Sequence, residues 1–310
     1  MLSLQHCPEL KLKQEQRLRS FEHFSYAPNE LNIKWWKVSA KSQLIAIPRM
    51  EETMEKYKVD LIGSSIVRAY AGVPIAPIRG ELSGIDAAYE VQRWTVNHWI
   101  GTGKMIAGRK IGITSKAVQQ QLGVDEPDFG TIFSDMIVQS GSTIPSASVL
   151  QPRVEAEIAF VLAKDIVGAC VTAEEVIAAT DYVCPALEIC GSRIAGWDIK
   201  ITDTVADNAS AGMVVLGAER HRATLDMLPA VSMRVLHNGA MSVEGDGAAC
   251  LGNPAIAVAW LANALNRFGE GLKRGDVVMS GALAKMVAAS PGDTFIADFG
   301  GFGRVETRFS

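Results

Sequence analysis

The stretch Val154-Glu-Ala-Glu-Ile-Ala-Phe-Val-Leu162 restricts what this chain can fold into. Alternation along a strand puts Val154, Ala156, Ile158, Phe160 and Leu162 on one side as an unbroken apolar row. Glu155 and Glu157 share the other side, followed by Ala159 and Val161. A strand this apolar on both sides is expected to be buried on both. The two glutamates then sit about 7 Å apart at Cβ, from a rise of about 3.3 Å per residue. With roughly 5 Å between the charges and an effective dielectric near 20, they repel by about 3 kcal/mol. A metal ion, basic partners, a raised pKa or rotation into water would each answer that repulsion.

Composition narrows the setting. The 310 residues are 48% hydrophobic and 21% charged, room for one large globular domain or two ordinary ones. A net charge of −4 gives no basic footprint for nucleic acid or anionic membrane. No apolar run reaches the length of a membrane span, and the N-terminus has no continuous hydrophobic signal region. The five cysteines lack CxxC spacing and the five histidines form no ligand pair, which argues against zinc. Cys184 and Cys190 lie at apolar positions and read as reduced core residues. A soluble, cytoplasmic protein is expected.

The chain divides into three parts. Residues 1–53 are weakly patterned and read as an extension, with Trp35-Trp36 the one hint of an arm on a neighbouring subunit. Residues 54–105 read as a helical segment. Helix begins around 51–57, and a second helix is expected after a Ser83/Asp86 capping box, with Ala87, Val91 and Trp94 on its face and Gly101-Thr-Gly103 as its stop. Residues 106–310 read as a β-rich core. A strand is expected over 106–113, a loop over 123–130 holding Asp125, Glu126 and Asp128, and a capped helix over 173–180 from Thr172 and Glu175. A strand over 181–190 carries Glu188. Asn253 and Pro254 open a helix that presents Val258, Leu261, Leu265 and Phe268 and stops at Gly269. Strands over 276–280, 294–298 and 304–309 close the chain. The pattern is α+β.

Three carboxylates, Glu155, Glu157 and Glu188, interrupt apolar strands. The bland alternative is an exposed face, or pairing with Arg153 and Arg193. Oxygen-only ligands favour a hard cation, Mg²⁺ or Mn²⁺. Spacing alone does not bring Glu188 to the other two.

A set of ordered motifs carries more information. Gly108-Arg-Lys-Ile-Gly-Ile-Thr-Ser115, Gln119-Gln-Gln-Leu-Gly-Val124, Pro127-Asp-Phe-Gly130 and Gln151-Pro-Arg-Val-Glu-Ala-Glu157 resemble the 2-keto-4-pentenoate hydratases of the fumarylacetoacetate hydrolase superfamily. The resemblance runs on through Pro185-Ala-Leu-Glu188, Ser192-Arg-Ile194, Asp203-Thr-Val-Ala-Asp-Asn-Ala-Ser210, Leu251-Gly-Asn-Pro254 and Gly281-Ala-Leu283, over roughly residues 55–310. It implies a mixed β roll or barrel-like core behind a small helical segment. It implies one Mg²⁺ or Mn²⁺ on Glu155, Glu157 and Glu188, catalytic roles for Lys110 and Asp128, and substrate contacts from Ser210 and Leu122. The implied reaction adds water to 2-hydroxypenta-2,4-dienoate to give 4-hydroxy-2-oxopentanoate in the breakdown of aromatic ring-cleavage products. Homo-oligomerisation and association with the related decarboxylase are also implied. Residues 1–53 have no counterpart in the resemblance, and Ala284-Lys285 falls where the far end of the substrate pocket is least defined.

The chemistry suits these residue types. A 2-oxo acid offers carboxylate and keto oxygens that chelate one hard cation, a Lewis acid for the charge gathered on the keto oxygen. Proton transfer to C5 and from water needs an acid/base group. Two competing readings keep the same carboxylates: a 4-oxalocrotonate decarboxylase, and a non-catalytic partner subunit of it. The presence of all five of Lys110, Asp128, Glu155, Glu157 and Glu188 speaks against the second, and Gln151-Pro-Arg153 with Pro127-Asp-Phe129 favours hydration over the first.

Overall fold

The structure, a computed structural model, describes residues 50–310. Trp35-Trp36 and the arm expected there lie outside the described residues. Helices α1 (Met50–Ala69) and α2 (Ile85–Gly101) come first. The Ser83/Asp86 box does not form. Gly84 holds the cap position at φ 141°, and no side chain caps the helix. The buried side of α2 is Ala88, Tyr89, Val91, Gln92 and Thr95, so Val91 is buried as expected while Ala88 and Thr95 take the places expected for Ala87 and Trp94. Gln92 explains the shift: its buried amide donates to the carbonyls of Phe129 (2.9 Å) and Val205 (2.8 Å).

The β core has two sheets. The strands in chain order are β1 (Ile106–Gly112), β2 (Asp128–Phe133), β3 (Ile137–Gln139), β4 (Thr143–Ile144), β5 (Arg153–Leu162), β6 (Thr180–Cys190) and β7 (Met213–Leu216). After them come β8 (Ser232–His237), β9 (Ala240–Asp246), β10 (Val277–Met279), β11 (Val287–Ala288), β12 (Thr294–Asp298) and β13 (Arg304–Phe309). The larger sheet runs β2-β1-β10-β5-β6-β7-β3, with β11 also on β5; the smaller runs β4-β13-β12-β8-β9. β1/β10 and β3/β7 are parallel and the other neighbours in the larger sheet antiparallel, a mixed α+β architecture as expected. Short helices α3 (Lys116–Leu122), α4 (Ala173–Ala179), α5 (Ile201–Ala206) and α6 (Met227–Ala230) punctuate the strands. The Thr172/Glu175 capping box forms on α4.

Helix α7 (Pro254–Asn266) builds the core on one face of the large sheet. Asn253 accepts from the Ala255 amide and Pro254 stands in the first turn, a start that leaves little backbone unsatisfied. Val258, Leu261 and Leu265 are fully buried and cluster with Ala156, Ile158 and Phe160, the apolar row of β5. Gly247–Asn266 has the length and mean hydropathy (1.4) of a membrane-crossing helix, which the sequence reading did not register, yet more than half of it is packed inside this core. On the other face of β5, Ala159 meets Cys184, Ala186, Val214 and Met279. β5 is therefore sandwiched, and only a polar site interrupts its second face.

Because Leu261 is fully buried and Ile256 on the same helix is 47% exposed, Leu261→Ala should cost about 2–5 kcal/mol. Ile256→Ala should cost no more than about 0.5 kcal/mol. Urea unfolding of the two variants against wild type measures both, and equal losses would contradict this packing.

Candidate metal centre

Strand register brings the predicted residues together. Glu155 of β5 stands directly opposite Glu188 of β6, and Glu157 opposite Ala186. Directly opposed residues share a face, so all three glutamates point the same way. On the other side of β5, Ala159 pairs with Met279, Met279 with Lys110, Lys110 with Gly130, and Gly112 with Asp128. The same parity carries Lys110 and Asp128 onto that face. Asp128 is the first residue of β2 and not part of a loop, as Gly123 and Pro127 had suggested. The loop expected over 123–130 ends three residues earlier, at Pro127, so that Asp128 is fixed by a ladder instead of a turn.

The cluster is buried and unbalanced. Glu157, Glu188, Lys110 and Asp128 are all buried, while Glu155 is half-buried and marks the open side. Lys110 Nζ lies 3.2 Å from Glu188 Oε1. The Gly281 amide donates to Glu157 Oε2 at 2.8 Å. Glu157 Oε1, Glu188 Oε2 and Asp128 Oδ1 are buried and accept no hydrogen bond within the protein. Buried charge without partners is costly, so the site leaves room for a positive ligand. Gly112 widens it, since a Cβ there would lie 2.2 Å from Asp128 Oδ1 and 3.3 Å from Lys110 Nζ. Donor atoms of Glu155, Glu188 and Cys190 lie within 4.8 Å of one another. Glu157 and Glu188, each with an unpaired oxygen, together with the half-buried Glu155 fit a hard divalent cation.

Electrostatics follow from this crowding. Burial, with the charge of Glu188 added, pushes the Glu155 carboxyl up to about 7. Burial and then the charges of Glu188 and Glu155 hold Glu157 well above the usual carboxylate range. Burial also raises Asp128, against the pull of Lys110. For Lys110 burial works toward the neutral amine, and the acidic neighbours, Glu188 foremost, reverse it and keep the ammonium.

Ser210 is buried in a short turn, its Oγ 3.4 Å from Thr204 Oγ1, which lies 3.4 Å from Asp128 Oδ2. It thus reaches Asp128 through one hydroxyl. Leu122 closes α3 and is half-buried; the polar contacts of the site do not extend to it. The alternative partners for the glutamates are overturned: Arg193 is committed to Asp207, and Arg153 lies over the Trp197 ring at 4.3 Å. Sequence reading missed Thr204 and Cys190. Cys190 is a buried free thiol, as expected, and it also donates to Glu155 Oε2 at 3.5 Å. Its spacing from Glu188, two residues along one strand, was the available signal. Behind β1, on the face opposite Lys110, Arg109 lines a separate cavity of about 290 Å³ with Tyr89, Phe129 and Phe268.

Comparison with known proteins places this sheet and its acid cluster in a family. Residues 106–310 match the family described as fumarylacetoacetate (FAA) hydrolase, C-terminal, and the chain belongs to that family. Among relatives, "2-keto-4-pentenoate hydratase" of Paraburkholderia xenovorans (strain LB400) and "2-keto-4-pentenoate hydratase 3" of Pseudomonas putida are each 49% identical, over 77% of this chain and 90% of their own. Among solved structures, the 4-oxalocrotonate decarboxylase from Pseudomonas putida G7, complexed with magnesium and adipate, is 31% identical with a TM-score of 0.77. That match covers 82% of this chain and 98% of the decarboxylase chain.

Glu155 rises from an ordinary 4.5 to about 7 in the folded protein, so the fold holds its proton more tightly than the unfolded chain. This favours the metal-free fold at low pH and is lost as pH rises through 7. A cation competes with that proton. The gain in Tm from adding Mg²⁺ or Mn²⁺ should therefore be larger at pH 8 than at pH 6. Differential scanning calorimetry at the two pH values checks it; a gain independent of pH would show that Glu155 is not where the cation and proton compete.

Proposed function

We propose that this protein hydrates 2-hydroxypenta-2,4-dienoate to 4-hydroxy-2-oxopentanoate, with Glu155, Glu157 and Glu188 holding one Mg²⁺ or Mn²⁺. The observation that carries the proposal is the set of buried, unpartnered carboxylate oxygens converging beside Lys110 and Asp128. Hydratase names on the 49%-identical relatives support the reaction class, and the magnesium in the decarboxylase complex supports a divalent cation. When bound, the cation supplies Lewis acidity toward the two oxygens of a 2-oxo acid.

The side chains do the rest. Lys110 keeps its positive charge because Glu188 is 3.2 Å away, and that charge favours an anionic substrate oxygen at the same spot. Asp128, raised by burial, is placed to exchange a proton at Oδ1, the oxygen that accepts no hydrogen bond from the protein. Thr204 holds the other oxygen, Oδ2, and with Ser210 forms a pair of hydroxyls leading away from the carboxylate. Ketonisation takes the enol O–H proton and delivers one to C5, and hydration at C4 takes one from water and returns it to C3. A buried carboxyl whose pKa is raised serves both directions. Burial of four of the five charged groups keeps bulk water from competing.

The decarboxylase would draw on the same charge stabilisation and break a carbon–carbon bond instead. Identity of 49% to hydratases against 31% to the decarboxylase favours hydration.

The test follows the ultraviolet absorbance of 2-hydroxypenta-2,4-dienoate with Mg²⁺ or Mn²⁺, then with excess chelator. Metal-dependent loss is expected, and Lys110→Met should lower kcat by about 10²–10³-fold, the range for removing one charge-stabilising group. Absence of turnover with either metal would sink the proposal, and CO₂ released from 4-oxalocrotonate would transfer it to the decarboxylase.

A further inference from the structure

Asn208, Ala209 and Ser210 occupy left-handed backbone in succession, with φ of 53°, 50° and 56°. Asparagine tolerates that region, but alanine and serine are strained in it, and three such residues in a row do not persist unless surroundings hold them. The holding contacts are on both sides of the turn. The Asn208 side-chain amide pairs with the backbone of Thr131 in both directions, at 2.7 and 2.9 Å. Gly130 makes that approach possible, because a Cβ there would fall 2.3 Å from the Asn208 carbonyl oxygen. Arg193 brackets the turn. Its backbone amide donates to Asp207 Oδ2 (2.9 Å), its Nε bonds to Asp207 Oδ1, its Nη2 donates to the Asp207 carbonyl (2.6 Å), and its Nη1 donates to the Ala211 carbonyl (3.0 Å). The guanidinium lies 4.5 Å from the Tyr70 ring centroid, and both charged side chains are buried.

Asp207 and Ala211 flank the strained residues, so one guanidinium fixes both ends of the turn. Ser210 Oγ leaves that turn toward Thr204 and, through it, toward Asp128. Both hydroxyl contacts are long at 3.4 Å, so a small relaxation of the backbone would break them.

We propose that Arg193 and Asp207 are positioning residues for catalysis, clamping the left-handed turn so that Ser210 and Thr204 stay aligned on Asp128. This rests on the hydratase reading for its kinetic consequence, while the clamp itself is testable without turnover.

Arg193→Lys keeps a buried cation but cannot bracket both carbonyls. It should speed amide exchange at residues 207–211 at least about tenfold and leave β5 protected. In turnover it should lower kcat about 10- to 100-fold, the cost of a misplacement near 1 Å. Mn²⁺ affinity, measured by titration calorimetry, should stay within about threefold, because the three glutamates stand on β5 and β6 and not in the turn. Ala209→Gly should by itself leave turnover near wild type, since glycine adopts φ near 50° without strain. Combined with Arg193→Lys it should restore part of the lost kcat. Should Arg193→Lys fail to fold, Asp207→Asn, nearly the same shape, carries the same expectations. Unchanged exchange at 207–211, or unchanged kcat with faster exchange, overturns the proposal. Loss of Mn²⁺ binding alongside kcat, or absence of any recovery with Ala209→Gly, makes the pair merely structural and overturns it as well. An inactive wild type with the expected exchange pattern would refute the hydratase reading and not the clamp.

Discussion

Everything distinctive in this fold follows from placing Glu155, Glu157 and Glu188 on one buried face with a single lysine beside them. Desolvating a carboxylate costs several kcal/mol even after relaxation, and three are gathered here. Lys110 answers one of them and the Gly281 amide part of another. For the remainder, burial and then the charge of Glu188 raise both Glu155 and Glu157, which favours their protonated forms in the absence of a cation. A site of this kind weakens the protein that contains it. The compensation is on the opposite face of the same strands, where α7 and the apolar row of β5 form the main core.

The division of labour runs residue by residue. Along β1, Arg109 serves the cavity side with Glu270, and Lys110 serves the acid cluster. Along β2, Phe129 stacks on Tyr89 at 4.7 Å while Asp128 turns the other way. Strand alternation therefore separates packing from chemistry without any loop between them. Rigid placement of this sort holds a reacting group within the few tenths of an ångström that proton transfer demands.

Much of this was legible in the amino-acid order, for a physical reason. The period of β5 depends only on local alternation, so its buried apolar row and its paired glutamates could be read directly. Asn253-Pro254 and Thr172/Glu175 marked real helix starts, because capping chemistry is also local. Glu188 could not be placed by spacing, since it meets Glu155 only through the register of β5 and β6, joined by a connection that contains α4. The ordered motifs supplied it. Asp128 looked like a turn residue because its neighbours Pro127 and Gly130 resemble turn signals, while the ladder to Gly112 is a long-range fact. Arg193 was offered to the glutamates on charge alone. Its partner, Asp207, is fourteen residues away, across a reversal that no periodicity announces.

One contact also carries information about the shape of the large sheet. Lys110 on β1 and Glu188 on β6 are separated by β10 and β5, three strand spacings. In a flat sheet that is about 14 Å across the strands, at about 4.8 Å per spacing, with side chains standing roughly perpendicular to the sheet. The row through Lys110, Met279 and Ala159 meets β6 at Cys184, about 13 Å along the strand from Glu188. The two groups nonetheless meet at 3.2 Å. Long side chains leaning toward each other cover part of the difference, and curvature of the sheet toward the site must cover the rest. The barrel-like curl is thus what turns an acid pair on two adjacent strands and a cation three strands away into one centre. Straightening the sheet would leave every strand pair intact and still take the charge-balancing lysine away from the glutamates.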